Sequence, residues 1–230
     1  MEVSIYHIGE LYLYDYYCNE GEYELSSMDK ASEYFEKGRA LEGKEDYAGA
    51  LMEYKSAHEE NPVRYDIYSG MIRCYKHAEN LDEIERLAEE SYKFACTRSE
   101  LADYYRNRAF LYLQRYKPDT AAALYSYSRL ICDSELAKSE IRYLEKAMGR
   151  KMEEKDPAVL LKILEEEGIP TAADNVSLAL LVKAADEAAE KGAYGQALDC
   201  LEMVYDLTED EGVMAKMETV KARMGTGDKV

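Results

Sequence analysis

Residues 34–62, YFEKGRALEGKEDYAGALMEYKSAHEENP, contain the pattern that decides the fold. Small and apolar residues recur three and four positions apart on both sides of a polar stretch at 43–46, which is helical periodicity. Tyr34 is followed four positions later by Gly38, and Ala50 is followed four positions later by Tyr54. Antiparallel helices pack closely where small side chains meet at their crossing. The stretch therefore predicts a helical hairpin with a turn near Gly43.

The same arrangement recurs along the chain, with 34, 37, 38 and 38 residues between successive copies. The first position, aromatic in four copies, is occupied by Tyr34, Tyr68, Tyr105, Tyr143 and Leu181. The position four residues later holds Gly38, Ile72, Ala109, Ala147 and Ala185. The second helix repeats a pair of residues four apart: Ala50 and Tyr54, Ile84 and Ala88, Ala121 and Tyr125, Val159 and Ile163, Ala197 and Leu201. A regular interval of this length is typical of arrays of helical hairpins.

Strand signals are scarce, since no Asn-Gly or Asp-Gly turn lies between alternating runs and β-branched clusters are few. An all-α fold is therefore expected. Val213, Met217 and Val220 lie at helical spacing, which predicts a C-terminal capping helix over 211–224 followed by a flexible tail at 225–230. Residues 1–28 are interpreted as an N-terminal capping segment, because they echo the first helix of the repeat without matching its spacing.

The pattern resembles the tetratricopeptide repeat family, whose hairpins place aromatic, small and closing proline residues at these positions. Residues 34–62 match nearly every position, with Tyr34 where the family usually has tryptophan and Pro62 as the closing proline. Arg150 and Glu166 depart from the family pattern in the fourth copy. The resemblance covers 29–210. It implies a right-handed α–α superhelix of about five hairpins that binds protein segments.

Charge and cysteine usage limit the function classes. The chain of 230 residues has 47 Asp and Glu against 29 Lys and Arg, a formal net charge of −18, which repels nucleic acids and anionic membranes. The 5 cysteines are widely spaced, without a Cys-x-x-Cys pair or an export signal at the N-terminus, and this favours a cytoplasmic protein. We expect no metal and no cofactor.

Sequence signatures of enzymes are missing. Neither a phosphate-binding Gly-rich loop, nor Gly-x-Ser-x-Gly, nor His-Glu-x-x-His occurs, and His7, His58 and His77 are far apart in the sequence. We therefore expect a protein without catalytic activity.

A groove along the first helices of the hairpins is the candidate binding surface. Side chains just beyond the packing positions point into it in an array of this kind, and Arg39, Arg73, Lys76 and Arg106 would share it. The full candidate set is Phe35, Arg39, Arg73, Lys76, Arg106, Asn107 and Phe110, with Ser69 and His77 nearby. The alternative is that these cations merely balance Asp66 and Asp103.

Two functions are compatible with these features. The first is a protein–protein interaction scaffold or adaptor that binds a peptide, with acidic or carboxylate groups among the ligand chemistries to test, by charge contacts from Arg39, Arg73 and Arg106 and apolar contacts from Phe35 and Phe110. Phe35 and Arg39 stand where relatives that clamp a peptide carboxylate have lysine and asparagine. The alternative is a structural module that forms homo-oligomers through its tyrosine-rich residues 1–28.

Overall fold

The structure, a computed structural model, describes residues 2–19 and 21–227, and the side chains of residues 147, 226 and 227 lie outside that description. The prediction of an all-α repeat fold is confirmed, because helices make up nearly all of the regular structure in these ranges. The helices are α1 (Ile8–Tyr17), α2 (Lys30–Glu42), α3 (Tyr47–Glu60), α4 (Tyr65–His77), α5 (Leu81–Ser91), α6 (Arg98–Gln114), α7 (Pro118–Ile131), α8 (Glu135–Met148), α9 (Pro157–Glu166), α10 (Asn175–Glu190), α11 (Tyr194–Thr208) and α12 (Glu211–Gly227). Strands β1 (Glu2–Val3) and β2 (Glu24–Leu25) pair in parallel, and a short 3₁₀ helix spans Tyr92–Phe94.

Four hairpins share one turn geometry: α2–α3, α4–α5, α6–α7 and α10–α11. In each, the residue before the N-cap of the second helix has a positive φ: Glu45 (62°), Glu79 (52°), Tyr116 (58°) and Gly192 (77°). The next residue donates its N–H to a carbonyl five positions earlier: Asp46 to Leu41, Asn80 to Tyr75, Lys117 to Tyr112 and Ala193 to Ala188, over 2.8–3.1 Å. These bonds satisfy carbonyls at the end of the first helix. Repetition of the turn shows that the hairpins are equivalent.

The first three hairpins stack into one array. Helix α3 packs on α4 and α5 on α6, while the first helices α2, α4 and α6 are neighbours along one side. The joint between the first two hairpins is the fully buried ring of Tyr54, held between Gly38 and Gly70. A Cβ added at either glycine would come within 2.7 Å or 2.8 Å of that ring, so only glycine permits this approach.

The region of the expected fourth copy differs from the prediction. Helices α8 and α9 each pack on α7, and a non-helical segment from Arg150 to Asp156 separates them. Tyr143, expected in a packing joint, is 60% exposed, and Val159 is 47% exposed. Ala147, the expected small residue, lies outside the described side chains. The polar residues Arg150 and Glu166 leave this copy without the apolar faces that would close a hairpin.

The last hairpin packs on the N-terminal helix. Helix α10 contacts α1 and the 3₁₀ helix, and α12 covers α11. Tyr17 on α1 donates its hydroxyl proton to Asp174 over 2.8 Å, and Ser177 bonds the carbonyl of Lys93. Residues 170–172 also accept hydrogen bonds from Tyr105, Tyr127 and Tyr92 of the array. We therefore find a three-hairpin array joined to a second layer made of α1, α10, α11 and α12.

The two chain ends extend the expected boundaries. Helix α12 continues to Gly227, so residues 225–227 are helical where the sequence predicts a tail, and 228–230 lie outside the described residues. Val213 and Val220 of the predicted capping face are buried, whereas Met214 and Met224 are exposed. At the other end β1 contacts α3, with the Ser4 N–H donating to the Glu60 carbonyl over 2.8 Å. Among the described residues, the helices are too short or too polar to span a membrane.

Candidate functional site

The first helices of the three stacked hairpins form one side of a depression of about 480 Å³, here called the groove. Helix α2 contributes Arg39, α4 contributes Arg73 and Lys76, and α6 contributes Asn107. Helix α8 adds a further wall, with Leu136 and Glu140. Four of the seven candidate residues therefore line one surface. The shared side of α2, α4 and α6 brings them together, since the hairpins stack in register.

Arg73 is held by an acidic partner inside the groove. Its Nε and Nη2 donate to the two carboxylate oxygens of Glu42, over 2.6 Å and 2.9 Å. Tyr54 also donates to Glu42, over 2.6 Å. Burial alone would raise the pKa of Glu42, but the hydrogen bonds from Arg73 and Tyr54 outweigh it, and the pKa is lowered. Arg73 thus joins α4 to α2, and the two guanidinium nitrogens that could bind a ligand carboxylate side by side are already bonded to Glu42.

Lys76 lines the groove and has N–H donors left for a ligand. Its Nζ donates to Asn107 Oδ1 over 2.8 Å and lies 5.0 Å from the centre of the Phe110 ring. Burial lowers the pKa of Lys76, against the opposing charges of Glu140 and Asp103. An ammonium group has three N–H donors, so Lys76 can bond a ligand oxygen without giving up Asn107.

Three of the candidate residues do not line the groove: Phe35, Arg106 and Phe110. Phe35 is 7% exposed, packs 5.6 Å from the Tyr54 ring and lies under the guanidinium of Arg64 at 4.8 Å. Arg106 and Asn107 are 6% and 3% exposed, so they support the floor instead of offering free contacts. Because close packing of α3 and α4 on α2 encloses the face that carries Phe35, this residue cannot supply the apolar contact predicted for it. Phe110 is only partly buried, beneath Lys76.

Acidic residues balance the cations of the groove. Arg106 pairs with Asp103 at 3.0 Å and with Glu140 at 3.2 Å. Three basic residues line the groove, namely Arg39, Arg73 and Lys76. Three acidic residues line it as well, namely Glu42, Asp103 and Glu140. The alternative in which Asp103 compensates the cations therefore agrees with this geometry, whereas Asp66 pairs with Arg64 at 2.8 Å. The groove is close to neutral.

Arg39 is the most accessible cation of the groove. Its side chain is 58% exposed, and the partner described for it is Glu36 on the same helix, at 3.0 Å and 62% exposed. Such an exposed ion pair contributes little free energy and exchanges readily with other carboxylates. At the same end, the rings of Tyr47 and His77 stack at 3.6 Å between centroids. Arg39 is thus an exposed cation in the groove that Tyr47 and His77 also line.

Glu42 lines the groove and is not among the residues predicted for it, although the sequence carries a signal for it. Lys76 lies eight positions after Tyr68, and Glu42 lies eight positions after Tyr34, so the same offset identifies both. Leu136 and Glu140 carry no such signal, because their place in the groove depends on how α8 packs against α7. Leu136 lines the groove and is 54% exposed, whereas Phe35 is buried.

Several tyrosines of the N-terminal segment pack against other residues of the same chain. Tyr14 is 1% exposed and packs edge-on against Tyr23 at 5.0 Å, and Tyr17 packs on Phe94 at 5.8 Å. Tyr6 and Tyr16, at 51% and 61%, are the exposed tyrosines of this segment. Over the described residues, no group of three His, Cys, Asp or Glu side chains has the geometry of a metal site.

Neither the family models nor the curated proteins that were compared give a match. Among solved structures, the chain is similar to one described as "Crystal structure of YrrB: a TPR protein with an unusual peptide-binding site". The identity is 16%, the alignment covers 82% of this chain and 92% of that chain, and the TM-score is 0.41. That description names the family that the repeat pattern resembles. At this identity and TM-score we draw nothing further from the likeness.

Proposed function

We propose that this protein is a non-catalytic interaction scaffold that binds a segment of another protein in the groove. The observation that carries the proposal is the convergence of Arg39, Arg73 and Lys76 on one open depression, walled by α8. Stacked helical hairpins commonly present such surfaces to partner proteins. A depression of about 480 Å³ accommodates a few side chains of an extended segment.

The balance of charges defines the ligand more closely. The chain carries a net charge of −18, so most of its surface repels an acidic segment, while the groove is close to neutral. An acidic side chain of the partner would replace Glu36 as the ion-pair partner of Arg39. A backbone or side-chain oxygen would accept a hydrogen bond from Lys76, and an apolar residue would cover Leu136. The proposed partner is therefore a mixed acidic and apolar segment.

The proposal is tested with a library of fluorescent peptides that vary in acidic and apolar content. The tightest binder is titrated against the wild-type protein, Arg39→Glu and Lys37→Glu. Lys37 is the matched control, because it lies on the same helix, is exposed, pairs with Glu33 at 2.8 Å and does not line the groove. We expect Arg39→Glu to weaken binding roughly tenfold or more, the effect of losing a charge-assisted hydrogen bond and adding a repulsive charge.

Equal effects of the two substitutions would show that the peptide responds only to net charge. No effect of Arg39→Glu would remove the groove from the proposal. Arg73 is unsuitable for this test, because its replacement would leave Glu42 with Tyr54 but without its cationic partner and would destabilise the α2–α4 contact.

A further inference from the structure

A second cavity, distinct from the groove, lies where the array meets the layer of α1, α10 and α11. Its volume is about 270 Å³, slightly below the roughly 300 to 1,000 Å³ of most ligand pockets. Leu13 and Leu181 contribute apolar walls, and Tyr65 and Phe94 contribute aromatic ones. Both layers therefore contribute walls to the cavity, which has room for a small molecule only.

Two carboxylates face this mainly apolar space, and the first is Glu10 of α1. Its Oε2 accepts a hydrogen bond from Asn61 Nδ2 over 2.8 Å. Burial raises the pKa of Glu10 despite that bond and the nearby charge of Arg64. Arg64 donates to Asp66 and Ser32, and its charge lowers the pKa of Glu10 by less than burial raises it.

The second carboxylate is Glu100, in the first turn of α6. It accepts hydrogen bonds from the backbone N–H groups of Cys96 and Thr97, over 3.0 Å and 2.9 Å, as part of a capping box. Burial raises the pKa of Glu100 to about 7, even though these bonds favour the carboxylate. A carboxylate at a helix N-terminus is normally stabilised, so desolvation in this cavity is the larger effect.

A balancing cation is missing from the cavity wall. None of the ten lining residues is Lys or Arg. His7 is the one imidazole among the lining residues, and its Nδ1 accepts the N–H of Gly9 over 3.2 Å. Carboxylates buried without a cation raise the free energy of the folded protein. A cation entering the cavity would remove that cost.

We propose that this cavity binds a small organic cation, a primary amine with an apolar or aromatic body. The ammonium group would lie between Glu10 and Glu100, and the body would pack against Leu181 and Met203. Tyr65 and Phe94 also line the cavity, and an aromatic ring in contact with a cation favours it over a neutral molecule of the same shape. This proposal is independent of the peptide groove.

The test uses phenethylamine, tyramine and 1,4-diaminobutane as probes, with 2-phenylethanol as the neutral match for the first. Binding is measured by calorimetry and by the NMR signals of ¹³C-labelled methionine methyl groups. Met203 lines the cavity, whereas Met52 on α3 is 71% exposed and serves as the internal reference. We expect at least one amine to shift the Met203 signal and not the Met52 signal, and 2-phenylethanol to bind roughly tenfold more weakly than phenethylamine.

Variants then locate the ammonium group. Glu10→Gln and Glu100→Gln should each weaken amine binding roughly tenfold, while Glu59→Gln, an exposed substitution on α3, should leave it unchanged. Circular dichroism checks that each variant is folded. If Glu100→Gln disturbs the start of α6, the amine affinity of Glu10→Gln decides whether the carboxylates bind the ammonium group. The proposal is overturned if none of the three amines shifts the Met203 signal, if the alcohol binds as well as phenethylamine, or if Glu59→Gln weakens binding as much as Glu10→Gln.

Discussion

The tyrosine ring between two glycines explains the first joint of the array at the scale of single residues. Tyr54 is fully buried, and its hydroxyl reaches Glu42, which in turn holds Arg73. One side chain thereby fills the space between two hairpins and supports the groove. Gly38 and Gly70 permit this because neither has a Cβ to meet the ring.

Gly38→Ala should destabilise the protein by about 1–3 kcal/mol, because the added methyl would lie 2.7 Å from the Tyr54 ring in a packed joint. The matched control is Gly195→Ala on α11, where no heavy atom lies within 4 Å of the added carbon. Urea unfolding measures both. The control should be unchanged or slightly more stable, because alanine favours helices over glycine. Equal stability of the two variants would contradict the packing described for Tyr54.

At the scale of elements, α1 belongs to the fold of its own chain. Gly9 lies so close to α10 that a Cβ there would overlap the side chain of Leu181, and Leu13 and Tyr14 are buried. In this position α1 covers the last hairpin, while β1 reaches α3 in the first. The N-terminal segment thus connects the two layers.

Removal of residues 1–28 should destabilise the protein by at least about 3 kcal/mol in urea unfolding, because it deletes Leu13 and Tyr14 from the core and exposes Leu181. The control is the double substitution Tyr6→Ser and Tyr16→Ser, which removes two exposed rings, one hydrogen bond to the Ser26 carbonyl and one edge contact with Tyr17, and should cost only about 1 kcal/mol. Light scattering of the double variant tests the alternative in which residues 1–28 form homo-oligomers. A lower mass than that of the wild-type protein would support pairing through this segment. A truncated protein as stable as wild type would contradict the role of α1.

At the scale of the whole molecule, the junction between the layers contains both buried carboxylates. Glu100 faces the backbone N–H groups of Cys96 and Thr97, with Asp66 as the nearby charge, and Glu10 faces Asn61, His7 and Arg64. Ionisation of either group must occur inside the cavity. The stability of the junction should therefore depend on pH.

The direction of this pH dependence follows from the raised pKa of Glu100. Glu100 shifts from 4.5 to about 7, so its folded state keeps a proton that the unfolded chain has lost, and stability declines as pH rises from about 4.5 to 7. Glu100→Gln keeps the acceptor of the capping box and removes the ionisation. Its free energy of unfolding relative to wild type should increase by roughly 2–3 kcal/mol between pH 5 and pH 8. A difference that is independent of pH would show that Glu100 is not desolvated by the junction.

Local sequence explains the repeat units well. Hairpin turns and small-to-large packing pairs depend on residues fewer than 20 positions apart, so Gly38 with Tyr54, and the groove positions Arg39, Arg73 and Lys76, could be predicted from spacing. The burial of Phe35 and the pairing of Arg73 with Glu42 were missed, since both depend on which neighbouring helix covers each face. The exposure of Tyr143 was missed because a matching position in the sequence does not ensure a partner in space.

The sequence by itself determined that the chain is helical, that it repeats at intervals of 34 to 38 residues and that its surface is strongly acidic, because periodicity and net charge are local or additive properties. Only the tertiary structure decided that α10 and α11 pack on α1, that α8 closes one wall of the groove and that Glu10 and Glu100 meet at one cavity. These contacts join residues up to 196 positions apart, His7 and Met203. They form between apolar faces, and the sequence alone does not specify which apolar face packs on which.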